Sequence, residues 1–272
     1  MTQPPEAKPE PAAREQSYQD RIAEMTRRLQ VVRDLPGLDK FRETRELPQA
    51  FFHHFNAFLA GYERLIDFAL KFTGDDKKIY CKKGCANCCI DLVRGITTPE
   101  IVNIYHHVRL WPDCKQLFEY HRDSAEQFSY ILLEKAKPGE SPPDGRDPRI
   151  LEAHAQYNLL KRPCGFLDQR TGCCRIYPVR PIACRYFFSL DPPEMCTPSH
   201  EKYFERKTRT VHLPEEIHAL LREIDRGFGF RPLNYLSGAF CQFTAEIMRT
   251  KPIRVIEAAP PDGSSGRAPY RP

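Results

Sequence analysis

The chain lacks any run approaching the roughly eighteen consecutive apolar residues that a membrane-spanning helix needs, so no membrane association is expected. Its opening, MTQPPEAKPEPAAREQ, has neither a basic n-region nor an apolar h-region, which gives no sign of export and points to a soluble, cytoplasmic protein. Long blocks of like charge are missing as well. The 41 basic and 36 acidic residues leave a net charge of +5 spread over a mixed surface, and no nucleic-acid-binding stripe stands out. There is no βαβ alternation, no repeat of fixed period, no Ser/His/Asp triad, no P-loop and no Rossmann fingerprint. These absences leave no standard catalytic or nucleotide-binding motif to carry a function.

What the sequence does have is cysteine. Of 11 cysteines, four fall within Tyr80-CKKGCANCC-Ile90, as Cys81, Cys85, Cys88 and Cys89. A second group follows at Cys164, Cys173, Cys174, Cys184 and Cys196. In a reducing compartment clustered thiols read as ligands before disulfides, and an odd count fits a pure disulfide framework poorly. Thiolates are soft donors that suit zinc, copper(I) and iron–sulfur centres.

The rest of the chain sets the frame. With 272 residues it can bury a core without needing metal merely to fold. Residues 1–16 and 258–272, rich in Pro and polar residues, are expected to be disordered. N-terminal helices are expected over 17–77, a cysteine-cluster region over 78–200 and C-terminal helices over 201–257. Within these, Phe51, Phe55, Phe58/Leu59, Tyr62 and Leu65/Ile66 recur at helical steps over 48–72, and Ile22, Met25, Leu29 and Val32 do so over 18–33. ITTPEI opens a helix with a Thr97 or Thr98 cap, Pro99 in the first turn and Glu100 behind it. Further helices are expected over 113–137, 148–161, 214–226 and 232–250, while the prolines of 162–200 predict loops around short elements. The fold class is thus mainly α: a single helical domain with an irregular Cys-rich metal-binding centre and disordered termini.

Lys82 and Lys83 are cations of the kind expected to favour neighbouring thiolates and offset their charge, and Gly84 permits a tight turn. The vicinal Cys88 and Cys89 point apart in most backbone conformations, so they divide more readily between two centres, or between one ligand and one packing role, than they share one ion. In the second region Pro178 and Pro181 stiffen the loop before Cys184. Arg180 and Arg185 bracket it as cofactor-binding candidates that could neutralise thiolates or hold a carboxylate or phosphate, against the plainer reading of surface ion pairs. Cys114 and Cys241 stand alone in predicted helices and read as small core residues. The pairs His53-His54 and His106-His107 lack the i, i+4 spacing of a helical zinc site. Trp111, before Pro112, reads as an inter-helix anchor.

CKKGCANCC with ITTPEI, then CGFL, CRIYPVRPIACR and a later Cys196, closely resembles the YkgJ-type cysteine-cluster family, which is described as a zinc- or iron-chelating domain. The matching positions are Cys81, Cys85, Cys88, Cys89, Cys164, Cys174, Arg180, Pro181, Cys184 and Arg185, with Cys196 as a further ligand. The family often has Pro where this chain has Gly165, and Cys173 is additional. The resemblance, over about residues 78–200, implies metal ligation by Cys81, Cys85, Cys88, Cys89, Cys164, Cys174, Cys184 and Cys196. The cofactor is zinc or iron, a 4Fe–4S centre included, and the partner is that ion or cluster.

Two other classes stay open. An iron–sulfur-dependent enzyme is one: C-x3-C-x2-C is also the radical-SAM spacing, and flagellin lysine methylases are similar in their cysteine cluster. Against it, no strand–helix barrel and no Gly-rich S-adenosylmethionine loop is visible, and Asn87 stands where radical-SAM proteins usually place an aromatic. A metal-stabilised interaction protein, its partner not identified by the sequence, is the other.

Overall fold

The computed structural model describes residues 10–72, 78–82, 84–135, 148–197 and 199–257. It is mainly α-helical. Helix α1 (Pro11–Arg33) is followed by a short turn of helix α2 (Phe41–Thr44), strand β1 (Glu46–Pro48) and the long α3 (Gln49–Phe72). After the first cysteines come α4 (Thr98–Val108), α5 (Cys114–Glu134) and α6 (Pro148–Leu159). Strands β2 (Leu167–Asp168), β3 (Cys173–Cys174), β4 (Phe187–Ser189) and β5 (Thr208–Thr210) lie among single 3-10 turns. Helices α7 (Glu215–Gly227) and α8 (Leu236–Gln242) and strand β6 (Arg254–Ile256) complete the chain.

The apolar stripe expected on α3 is the centre of the core. Phe51, Phe55, Phe58, Leu59, Tyr62, Leu65 and Ile66 are each at most 1% exposed, and burying each stabilises the fold by about 1.5–3 kcal/mol. Against them packs α1, through Ile22, Met25, Leu29 and Val32, and α7 packs in turn on α1 and α4, adding Ile217, Leu220, Leu221 and Ile224 to the same core. Helices α5, α6 and α8 form the other side. Phe41 stacks on Phe243 (6.1 Å) and meets Phe228 edge-on (5.4 Å), which closes the core beneath α2. Parallel pairing of β1 with β6 ties the start of α3 to the end of the described chain.

Two boundaries differ from the sequence reading. Helix α1 begins at Pro11, inside the expected tail of 1–16, because proline suits the first helical turn and Gln16–Asp20 and Gln19–Glu15 side-chain pairs support the polar segment. The last helix starts at Leu236 rather than near 232 and passes into a π turn over Phe243–Ile247, a register change that a 3.6-residue pattern does not reveal. Residues 1–9 and 258–272, the rest of the expected tails, lie outside the described residues.

Candidate metal centre

The first cysteine loop is fastened to the second cysteine segment by backbone. Tyr80 N–H donates to the Ser189 carbonyl (3.1 Å), and Ser189 N–H donates to Cys81 Sγ (3.2 Å), so Cys81 docks on the end of β4. Gly84, at φ +83°, turns the loop, and Cys85 N–H closes onto the Lys82 carbonyl (3.0 Å). The 3-10 turn Asn87–Ile90 carries the vicinal pair. Asn87 Nδ2 donates to the Pro193 carbonyl (2.5 Å), which fixes this turn against the Pro193–Cys196 turn that buries Cys196. Cys164 N–H donates to the Cys89 carbonyl at 2.6 Å. Two groups far apart in sequence therefore share one region of the fold.

The thiols form two neighbourhoods. Cys81, Cys85 and Cys196 lie together, and Cys164, Cys174 and Cys184 lie together; the charge of Cys88 bears on members of both. The Cys88 thiol is pushed up by its hydrogen bond with Cys89 and then by burial. Burial pushes Cys164 up to about 12, and Cys184 well above its usual value, with neighbouring thiols adding to both. Cys81, Cys174 and Cys196 shift the same way, desolvation again being the main cause. Metal-free, these groups are neutral thiols. Several thiolates held together need a cation to offset them.

Arg180 and Arg185 stand behind this second neighbourhood. Arg185, 2% exposed, makes an ion pair with Glu63 on α3 and donates to the carbonyls of Arg180 (2.9 Å) and Pro178 (3.0 Å). Arg180 Nη2 reaches the same Glu63 oxygen (2.9 Å), and its guanidinium stacks 4.1 Å over Tyr177. Both charges oppose the rise in the Cys174 thiol, so they face the site, but their direct hydrogen-bond partners are protein groups. A third tether is Glu100. It closes the capping box of α4 with Thr97, and its other oxygen accepts from Ile182 N–H (2.6 Å), two residues before Cys184. Burial raises the Glu100 carboxyl despite these bonds.

The β2–β3 hairpin positions Cys174. Gly172, at φ +68°, rests against the first loop so closely that a Cβ there would lie 2.6 Å from the Gly84 carbonyl oxygen. Arg175 forks onto Asp113 (2.6 and 2.8 Å) and lies 4.2 Å over Trp111, which makes Trp111 an anchor for this hairpin as well as a helix connector. The additional Cys173 pairs with Asp168 in the hairpin, its Sγ 3.7 Å from the Thr171 carbonyl.

Elsewhere the lone residues keep to packing. Cys241 Sγ sits 3.9 Å from the Phe118 carbonyl and is pushed up to about 12 by burial. Cys114 starts α5. His106 stacks on Phe52 (4.0 Å), His54 meets Arg28 (3.4 Å) and His107 approaches Trp111 (5.7 Å). Sequence reasoning missed Glu63, the second bond of Glu100 and the approach of His121 to Gly165; that His121 faces inward follows from the helical pattern of 113–137, and the ring is buried as that pattern expects. Glu63 lies between the buried Tyr62 and the exposed Arg64 at the edge of the apolar stripe of α3, where a glutamate is ordinarily solvated, so no local signal marks it.

Among the described residues, no three His, Cys, Asp or Glu side chains converge tightly enough to hold an ion as they stand. What fits a soft metal is the donor set itself: eight clustered thiols on loops fastened to one another, six of them pushed up by partial burial and by neighbouring thiols. Among the described residues no helix is long and apolar enough to cross a membrane. No curated protein and no solved structure matches the chain. Residues 80–210, just under half of the chain, match the family described as CxxCxxCC, "Putative zinc- or iron-chelating domain", which is the cysteine-cluster family that its thiol spacing resembles.

Proposed function

We propose that this protein chelates zinc or iron through two thiolate groups that meet at the vicinal pair. Cys81, Cys85 and Cys196 supply one group and Cys164, Cys174 and Cys184 the other, with Cys88 and Cys89 completing both. The observation that carries this reading is the junction itself: Cys164 N–H bonded to the Cys89 carbonyl, with Cys88 bearing on thiols from both sides. Eight thiolates suit two four-coordinate sites, or an iron–sulfur centre beside a zinc. Between the metals, the C-x3-C-x2-C spacing of Cys81, Cys85 and Cys88 favours an iron–sulfur centre in the first group. Such a centre supplies an electron when redox-active, whereas zinc supplies a rigid cross-link.

The protein's own part is to hold these thiols dry, to neutralise them and to keep the two segments in register. Arg180 and Arg185 supply the cationic side of the second group; Glu63 balances part of their charge and orients both forks. In this reading they are counter-charges and loop clamps.

Anaerobic purification with iron, zinc and acid-labile sulfide analysis and an absorption spectrum tests this. Bound iron or zinc at one or two equivalents is expected in wild type. Cys85→Ser and Cys184→Ser should each lose most of the metal of their group, because metal binding free energy is also folding free energy, of order 10–16 kcal/mol for structural zinc. Cys241→Ser should keep it. Metal-free wild-type protein, or equal loss in all three variants, would defeat the assignment.

A further inference from the structure

Cys88 and Asp91 lie three residues apart across the 3-10 turn Asn87–Ile90, and Asp91 N–H closes that turn onto the Cys88 carbonyl (3.2 Å). The pair thus stands one 3-10 turn apart, close enough for the Asp91 charge to bear on the Cys88 thiol. The two oxygens of Asp91 are in different situations. Oδ2 accepts from the Tyr203 hydroxyl (3.3 Å); Oδ1 is shielded from solvent and has no hydrogen-bond partner. Buried carboxylate oxygens are costly to leave unpaired, and an orphan of this kind calls for an ion or a water. Arg206 does not fill the vacancy by a direct bond. It lies 3.8 Å over the Tyr203 ring and donates to the Tyr203 carbonyl (2.6 Å), so it backs the tyrosine and lends its charge from a distance.

We propose that Asp91 is an oxygen donor to the metal held by Cys88, with Tyr203 as the group that orients it. This rests on the chelating function above and adds a ligand of a different chemical kind. Thiolates bind soft ions tightly, whereas a carboxylate is a hard donor. Tyr203 and Arg206 then form the outer support that fixes the arm, as a hydrogen-bonded carboxylate ligand normally requires. Phe204, 90% exposed, extends beside this support to the surface.

The test uses the full chain, purified without metal and titrated anaerobically with cobalt(II), whose visible ligand-field bands report the donor set. Wild type is compared with Asp91→Asn, Asp91→Ala and Tyr203→Phe. Both Asp91 variants should lose about tenfold or more in cobalt affinity for one site and shift its ligand-field bands, while the thiolate charge-transfer intensity stays. Tyr203→Phe leaves the carboxylate in place and should shift the same bands less. A role in shaping the turn alone would lower the thermal midpoint of the metal-free protein and leave the band positions unchanged. If wild type takes up cobalt and neither Asp91 variant nor Tyr203→Phe moves bands or affinity, the carboxylate is not a ligand and the chelating function stands without it. If wild type takes up no cobalt, zinc or iron, the chelating function fails and Asp91 has no metal to bind.

Discussion

The two halves of the candidate centre are held by different forces. The Cys174–Cys184 half is clamped to the helical scaffold by charged groups: Arg185 and Arg180 on Glu63 of α3, Ile182 N–H on Glu100 of α4, and Arg175 on Asp113 at the head of α5. The Cys81–Cys89 half has no such clamp among its described residues. It hangs on a few hydrogen bonds and one glycine contact, most of them to the other half: Tyr80 and Cys81 to Ser189, Asn87 to Pro193, Cys89 to Cys164, Gly84 against Gly172. The second half is thus placed by the fold, and the first half is placed by the second. Metal added to such a pair gains most where the protein has spent least, on the first loop.

Arg185→Met should produce the largest loss. Removing Arg185 leaves the buried carbonyls of Pro178 and Arg180 without their donor and leaves the half-buried Glu63 to Arg180 alone, at a cost of about 2–4 kcal/mol. Arg185→Lys should recover only part of it, since one ammonium cannot reach three acceptors in a planar fork. Urea unfolding of the metal-free protein measures both. If Arg185→Met costs under about 1 kcal/mol, in the range of an exposed ion pair, the second half is not clamped by charge and the contrast collapses.

Gly172→Ala should have a smaller effect of a different kind. The added methyl meets a backbone oxygen at 2.6 Å and the residue must hold φ +68°, together about 1–3 kcal/mol. Because the contact is with Gly84, the strain falls on the junction between the halves. Metal retention should suffer more than the unfolding midpoint of the helices. Equal loss of both would mean that the first loop is as much part of the scaffold as the second.

This division also decides what could be seen in the sequence. The α3 stripe and the Thr97–Pro99–Glu100 helix start were legible because period and capping are local, and both formed as expected. The thiol groups were legible because eight cysteines at ligand spacing have few other uses. The clamps were not. Glu63 follows the buried Tyr62 in the same helical pattern as any solvated glutamate, and only the approach of a loop 117 residues away turns it inward. Arg180 and Arg185 were marked as charges near the thiols, but their shared partner and their backbone acceptors are tertiary facts. The same holds for Gly165, where the departure from the family's usual proline acquires a reason only when His121 is seen against it.

His121 offers the mildest probe and reads the second half alone. Its ring is 1% exposed, lies 4.5 Å from Phe166 and 5.1 Å from Phe240, and shares a hydrogen bond with Ser237 through Nδ1 (3.0 Å). A Cβ on Gly165 would come within 2.6 Å of its Nε2, so the residue after Cys164 must be glycine while this imidazole is present. Burial lowers its pKa to about 3, from 6.5 when exposed. The unfolded chain therefore takes up a proton below about pH 6.5 that the folded chain refuses until about pH 3. The stability this neutral ring contributes is complete above pH 6.5 and is lost as pH falls through that window, by up to about 1.4 kcal/mol per pH unit. Carboxyls raised by burial, such as Glu100 and Asp225, oppose this trend, so the comparison must be made against a variant. In His121→Leu the fixed cost of the substitution does not vary with pH, and only the slope is informative. Urea unfolding of metal-free wild type and His121→Leu at several pH values from 7.5 to 4 should give curves that converge as the solution becomes acidic. Parallel curves would show that the imidazole is protonated in the folded state, and that the wall behind Cys164 is wetter than the packing of Phe166 and Phe240 implies.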